Sequence, residues 1–253
     1  MKIITMNVNK GGAGKTTLAH NFAEWLALKH RVLLFDFDDS ANLTHRYGNF
    51  KNSEHTVISL FDTGFVKPIN VNFNLDLVAG SPEVEMLKER VFAKRRREEL
   101  FGRWIAAHYQ ELEKAYDYLV IDTENDEGIL TTNALLVSDC VVGVAEPSKD
   151  SVEALPNLRE FVNDLNHDFE TEIKLAFVAN KIDLSENSSK DLIKAMEENG
   201  DYMGYLPRRT FLLDNEVVAH MKPTSANKQD LENIFSVFEA LKAQLDEEDD
   251  NGQ

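Results

Sequence analysis

Short, continuously apolar runs alternate with helical patterns from one end of the chain to the other. Residues 3–8, 31–36, 75–79, 118–122, 140–145 and 174–180 are rich in Val, Ile, Leu and Phe, as expected for strands buried on both faces. Apolar residues recur at helical spacing near 18–29, 83–115, 129–137, 151–166, 187–199 and 230–245. This order predicts an α/β fold, a doubly wound and mostly parallel sheet with helices on both faces. No linker, repeat or low-complexity block interrupts residues 1–245, so one domain is expected there. Residues 246–253 form an acidic tail that reads as disordered and solvating.

The turn between the first strand and the first helix carries the clearest chemistry. It reads Lys10-Gly11-Gly12-Ala13-Gly14-Lys15-Thr16-Thr17. A glycine-rich turn at this place aims backbone N–H groups at a phosphate chain, at the positive end of the helix dipole. Lys15 is placed to reach β- and γ-phosphates, and the Thr16 hydroxyl to bind Mg²⁺. The chain is thus expected to be a P-loop NTPase. One departure stands out: Asn9 occupies the place of the usual first glycine and is followed by the extra lysine, Lys10. Taken alone, Lys10 is readable as a solvated loop cation.

In this context the segment 10–17 resembles the deviant Walker A motif of the ParA/MinD family of ATPases, in which the extra lysine is a signature. The resemblance implies ATP and Mg²⁺ as cofactors and an ATP-bound homodimer that sandwiches two nucleotides. Lys10 would then cross to the partner's phosphates, a role analogous to an arginine finger. Residues 36–44 continue the likeness: Asp36, Asp38, Asn42 and Thr44 match, whereas Asp39 and Ser40 replace the family's Pro and Gln. By resemblance Asp38 orients the attacking water and contributes to the Mg²⁺ shell; as a bare pattern it also suits a helix cap or loop. Asp122 ends an apolar strand, as a Walker B carboxylate supporting Mg²⁺ does. Thr123 follows as in relatives, but Glu124 and Asn125 replace the usual prolines.

The base pocket has two readings. Asn180-Lys181-Ile182-Asp183 fits the Asn-Lys-x-Asp pattern with which GTPases read guanine, through Asp183. ParA-type ATPases also place an asparagine here against adenine, and the segment 205–209, with Pro207, resembles their adenine-side segment. With Lys10 present, the nucleotide-binding set is read as Lys10, Gly11, Gly12, Ala13, Gly14, Lys15, Thr16, Thr17, Asn180 and Pro207, with ATP as ligand. Lys10, Lys15 and Asp38 form the catalytic set, and Thr16, Asp38 and Asp122 the metal set.

Charge narrows the partners. The 253 residues carry a formal net charge of −17, so the average field repels nucleic acid and anionic lipid. DNA contact would need a local patch, and the densest basic stretch is Lys88, Arg90, Lys94, Arg95, Arg96, Arg97 and Arg103, expected on one helix. Pairing with Glu85, Glu89, Glu98 and Glu99 at helical spacing is the equal alternative. The C-terminal helix presents Leu231, Ile234, Phe235, Phe238, Leu241 and Leu245 on one side, flanked by acids; it is expected to pack on the sheet and to bind no membrane. Cys140 is the only cysteine, in a buried-strand pattern, and is read as a packing residue. No apolar run approaches the ~20 residues of a membrane span and no signal pattern opens the chain, so a cytoplasmic protein is expected.

The ParA resemblance further implies non-specific DNA as a partner of the ATP dimer, a ParB-type adaptor that stimulates hydrolysis, and segregation of a plasmid or other replicon. Two alternatives share the motifs: a ParA-like positioner of a protein cargo, and an NTPase assembly switch, a GTPase included, that binds no DNA.

Overall fold

A computed structural model of the chain describes residues 1–8, 11–50, 52–198, 200–213 and 216–247. Lys10 and the last residues of the acidic tail therefore lie outside the described residues. In chain order the elements are β1 (Lys2–Asn7), α1 (Lys15–Ala27), β2 (Val32–Asp36), α2 (Asn42–His45), α3 (Val57–Asp62), β3 (Ile69–Asn72), β4 (Leu75–Val78), α4 (Val84–Phe92) and α5 (Leu100–Ala115). There follow β5 (Tyr118–Asp122), α6 (Ile129–Leu135), β6 (Cys140–Ala145), α7 (Lys149–Phe169), β7 (Lys174–Ile182), α8 (Asn187–Glu197), β8 (Tyr202–Pro207), α9 (Thr210–Leu213) and α10 (Lys228–Asp246).

The strands form one eight-stranded sheet in the order β3-β4-β2-β5-β1-β6-β7-β8. Every pairing is parallel except β3 with β4 at one edge. Alternate strand residues point to opposite faces. Ile4, Met6, Leu34, Val120 and Val142 meet Phe22 and Leu26 of α1 and Ile234, Phe238 and Leu241 of α10. Ile3, Leu33, Phe35 and Ile121 face α3 to α6, where Phe35, Phe37, Phe61 and Phe101 make edge-to-face and tilted contacts. Val141, Leu175 and Phe177 pack on α7 and α8. The C-terminal helix thus buries its apolar side on the sheet, as expected, and Cys140 is fully buried in β6. Among the described residues, no helix is long and apolar enough to cross a membrane.

The stretch expected as one helix over 83–115 is broken. Arg96 adopts a left-handed conformation at φ 50°, a short 3₁₀ turn spans Arg97–Glu99, and α5 begins anew at Leu100. Four consecutive cations in one helix would repel one another, and Asn133 of α6 stabilises the break. Its amide donates to the Arg97 carbonyl at 2.7 Å and accepts from the Phe101 N–H at 2.9 Å. The basic residues consequently share no single helical face.

Candidate nucleotide site

The central strand β1 is flanked by β5 and β6, and the chain turns outward from it in both directions. Ligands of open α/β sheets lie at the carboxyl ends of strands near such a reversal. Residues 11–14 leave that end of β1 and lead directly into α1. Gly12 and Gly14 take φ of +81° and +101°, backbone that residues with a Cβ rarely adopt. Gly14 is the N-cap of α1, whose first turn holds no acidic residue. The positive helix end is therefore left uncompensated for an anion.

A cavity of about 590 Å³ opens over this turn. Gly12, Gly14, Lys15, Thr16 and Thr17 line one wall; Asp38, Asn180 and Pro207 line others. The structure thus gathers residues from β1, β2, β7 and β8 that lie far apart in the chain. A cavity of equal volume between α7 and α8 has an apolar floor of Leu155, Phe177, Leu192 and Met196. Its arginine, Arg159, is paired with Asp201 at 2.7 Å, so it lacks the chemistry for phosphate.

Lys15 is only 5% exposed, and its ammonium is hydrogen-bonded to the Asn125 side chain. Burial lowers its pKa against the pull of Asp122, Asp38, Asp126 and Glu124. Asp122 stands in register with Met6 on one side and Asp36 on the other. It is wholly buried, and neither carboxylate oxygen has a hydrogen-bond partner among the described residues. Burial, reinforced by the neighbouring Asp36, pushes its pKa up to about 8, opposed by Lys15 and the Thr16 hydroxyl. An orphaned buried carboxylate among oxygen donors is unfavourable by itself and fits a hard divalent cation such as Mg²⁺.

Asp36 does a different job. Its Oδ2 accepts from the Thr44 N–H at 2.8 Å and the Thr44 hydroxyl at 2.7 Å, and the same hydroxyl accepts from the Gly80 N–H at 2.7 Å. Burial raises the Asp36 pKa to about 6. This anchor fixes α2 against the end of β2. Asp38 lines the cavity, and its Oδ1 accepts from the Ser40 N–H at 2.8 Å and hydroxyl at 2.5 Å. Ser40, which departs from the family pattern, thus supplies a turn that holds the aspartate.

Asn180 and Lys181 brace the phosphate loop. The Asn180 amide donates to the Ala13 carbonyl at 2.8 Å, and the Lys181 ammonium reaches the Gly12 carbonyl at 2.5 Å and Glu146 at 2.8 Å. Asp183 points elsewhere. Its Oδ1 accepts from the Ser185 N–H and hydroxyl at 2.9 and 2.6 Å, it is absent from the cavity lining, and those bonds lower its pKa.

Arg46 and Asn125 also line the cavity, and the sequence patterns did not single them out as site residues. Arg46 follows α2 with no motif around it, and Asn125 sits where the family pattern carries proline. The replacement of that proline was the available signal.

The basic stretch is largely committed to protein partners. Lys88 is bonded to Glu124 and lies 3.0 Å from Glu85 and 3.6 Å from Asp126. Arg90 pairs with Asp62 at 3.0 Å, and the Lys94 ammonium donates to the Phe61 carbonyl at 2.6 Å. Arg96 and Arg97 pair with Glu99 and Glu98, and Arg97 also lies 3.9 Å above the Phe92 ring. Glu85, Glu98 and Glu99 do act as partners, though not along one continuous helix.

This fold and this loop define a P-loop nucleotide-binding protein. A family model described as "AAA domain" matches residues 1–175, and the chain belongs to that family of P-loop ATPases, among its ParA/MinD-type members. It is 29% identical over 232 residues to the sporulation initiation inhibitor protein Soj of Bacillus subtilis, covering 88% of this chain and 89% of Soj. A plasmid partition protein of Borrelia burgdorferi, BB_S35, solved with AMPPNP, superposes with a TM-score of 0.80 at 25% identity, over 96% of this chain and 98% of that one. An ATP complex of McdA from Cyanothece shares the fold at a TM-score of 0.80 and 19% identity, over 96% of both chains.

Proposed function

We propose that this chain is a Mg²⁺-dependent ATPase of the ParA kind that segregates a plasmid or another replicon. The observation that carries the reading is the Asp122 carboxylate, wholly buried in the field of Lys15 and Asp38 and beside the Thr16 hydroxyl. Thr16 and Asp122 would hold Mg²⁺, with Asp38 contributing to its shell; the bound ion supplies neutralisation of phosphate charge. Lys15 takes the β- and γ-phosphates, and residues 11–17 present their backbone N–H groups to the chain of phosphates. Asp38 orients the attacking water, and Asn180 and Pro207 bound the adenine side. Lys10 from each protomer completes the site of the other in an ATP-bound homodimer. The likeness to Soj and to the Borrelia partition protein supports partition as the task.

In this reading the ATP dimer binds DNA without sequence preference, and an adaptor of ParB type stimulates hydrolysis, in the cytoplasm and on the nucleoid. The exposed corner with Lys94, Arg95, Arg96 and Arg97 is the proposed DNA contact. The Arg96–Glu99 and Arg97–Glu98 pairs lie at the surface, where such pairs are worth about 0–1 kcal/mol, so phosphate displaces the glutamates readily. Lys88 is left out of it, because it is held among Glu124, Glu85 and Asp126, whereas the Arg90–Asp62 pair lies as near the surface as Arg97–Glu98 and opens as readily.

The test is binding to a random-sequence duplex at two salt concentrations, with Mg²⁺ and ATP, ADP or no nucleotide. ATP-dependent binding that weakens steeply with salt is expected. Nucleotide occupancy without DNA binding in any state would remove partition and leave an assembly switch. Lys10→Ala should bind ATP as a monomer but lose dimerisation or turnover; normal dimers and normal turnover would sink the trans role of Lys10.

A further inference from the structure

Arg46 is an arginine inside the nucleotide cavity that none of the motifs accounts for. It follows α2 directly, two residues beyond Thr44, whose side chain and N–H are clamped by buried Asp36. The guanidinium is thus carried on an anchored element rather than a free loop. Its Nη2 donates to the Thr17 hydroxyl at 3.0 Å, and its Nη1 lies 3.3 Å from Nδ1 of His20. His20 is 2% exposed, and burial pulls its pKa down to about 3, so the ring is neutral and its Nδ1 accepts. The Tyr47 ring packs against His20 with centroids 5.4 Å apart, which holds the imidazole in place.

Neither hydrogen-bond partner of Arg46 is charged. Among the described residues Arg46 forms no ion pair, and burial lowers its own pKa while Asp122 is the leading charge that opposes this. A partly buried guanidinium remains a cation under these conditions. A partly desolvated cation with no direct ion pair is unfavourable, and it becomes favourable when an anion enters. The fork geometry of arginine suits phosphate oxygens in particular.

We propose that Arg46 is a second, cis-acting phosphate ligand, contacting the nucleotide's α-phosphate on the Thr17 side of the loop. This assignment rests on the reading of the cavity as a nucleotide site. Lys15 lies on the side of Asp122, Asp38 and Asn125, the side of the β- and γ-phosphates. Arg46 is tied instead to Thr17, two residues further along α1, with Asp122 as the leading charge acting on it through space. His20 and Tyr47 act as its support, keeping the guanidinium aimed while the site is empty of anion. Such preorganisation removes much of the ordering cost of binding.

The experiment compares wild type, Arg46→Gln and Arg46→Lys by calorimetric titration with ATP and with ADP, plus thermal melting of each unliganded protein. Arg46→Gln should weaken ATP and ADP by the same factor, roughly 10- to 100-fold for a lost charge-assisted hydrogen bond to phosphate. Arg46→Lys should recover part of that loss. The unliganded Arg46→Gln protein should melt at or above the wild-type temperature, because an uncompensated cation has been removed. A drop in unliganded melting temperature with affinity restored in the surviving folded fraction would make Arg46 a structural brace and overturn the proposal. Affinities within twofold of wild type, or a loss confined to ATP, would also overturn the α-phosphate assignment. If wild type itself binds neither nucleotide, the nucleotide reading falls first, and a different cavity ligand is required.

Discussion

Gly14→Ala offers a direct test of how the phosphate loop is held. Gly14 has φ +101° and ψ 23°, and an added Cβ would lie 1.9 Å from Nδ2 and 3.2 Å from Cγ of Asn180. Two costs follow. Alanine in this backbone region is strained by about 1–3 kcal/mol. The Asn180 amide must also leave, which breaks its 2.8 Å bond to the Ala13 carbonyl in a buried setting. That adds about 1–3 kcal/mol. The total of roughly 2–6 kcal/mol is a large share of the 5–15 kcal/mol typical of a folded domain. Equilibrium urea unfolding reads it, and the double variant Gly14→Ala/Asn180→Ala separates the parts. With Asn180 shortened the clash disappears, so the double variant should be more stable than the sum of the singles by about 1–3 kcal/mol. Strict additivity, or a Gly14→Ala protein within ~0.5 kcal/mol of wild type, would refute the idea that Asn180 is wedged against the loop.

Asp122→Asn should raise unliganded stability by about 1–3 kcal/mol, since it removes an unpartnered buried carboxylate, while abolishing the Mg²⁺-dependent part of ATP affinity; a less stable variant by urea unfolding would argue for a structural role. His20 sets a pH dependence. Its folded pKa of about 3 lies below the 6.5 of an exposed imidazole, so only the unfolded chain gains a proton between those values. Stability is therefore fully present above about pH 6.5 and falls towards pH 3, by up to roughly 4–5 kcal/mol from this group. The difference between wild type and His20→Gln in urea unfolding should widen in favour of the variant on acidification, and a pH-independent difference would contradict it. Lys88→Met should strand the half-buried Glu124 carboxylate, cost about 1–3 kcal/mol and speed proteolysis within residues 123–128; unchanged cleavage would show that Lys88 does not secure that loop.

The parts of the molecule legible from sequence were those where one physical signal dominates. The inner strands β1, β2, β5, β6 and β7 are buried on both sides, so their apolar runs were unbroken. Edge strand β3 is only four residues, Ile-Asn-Val-Asn, half-exposed and interrupted by a register shift, and it carried no such run. β8 contains Gly204 at φ +119° and ends in proline, both of which read as loop signals. The break after α4 was hidden because Leu87, Val91, Phe101 and Ile105 kept an apolar pattern that looks helical across it, while the cause, Asn133, lies some 30 residues on. Within the site, Lys15, Thr16 and Asp122 were legible because a strand end and a glycine turn fix them locally. Arg46, Asn125 and the turning away of Asp183 depend on contacts between loops distant in sequence, where neither spacing nor residue type records the outcome.

The most direct measurement of the central claim is calorimetric titration of the wild-type chain and of Lys15→Ala with ATP and GTP, each with and without Mg²⁺. One ATP per chain is expected, tightened by Mg²⁺ and lost in Lys15→Ala, with GTP markedly weaker because Asp183 is engaged by Ser185. Equal or tighter binding of GTP, or ATP binding indifferent to Lys15, would contradict it.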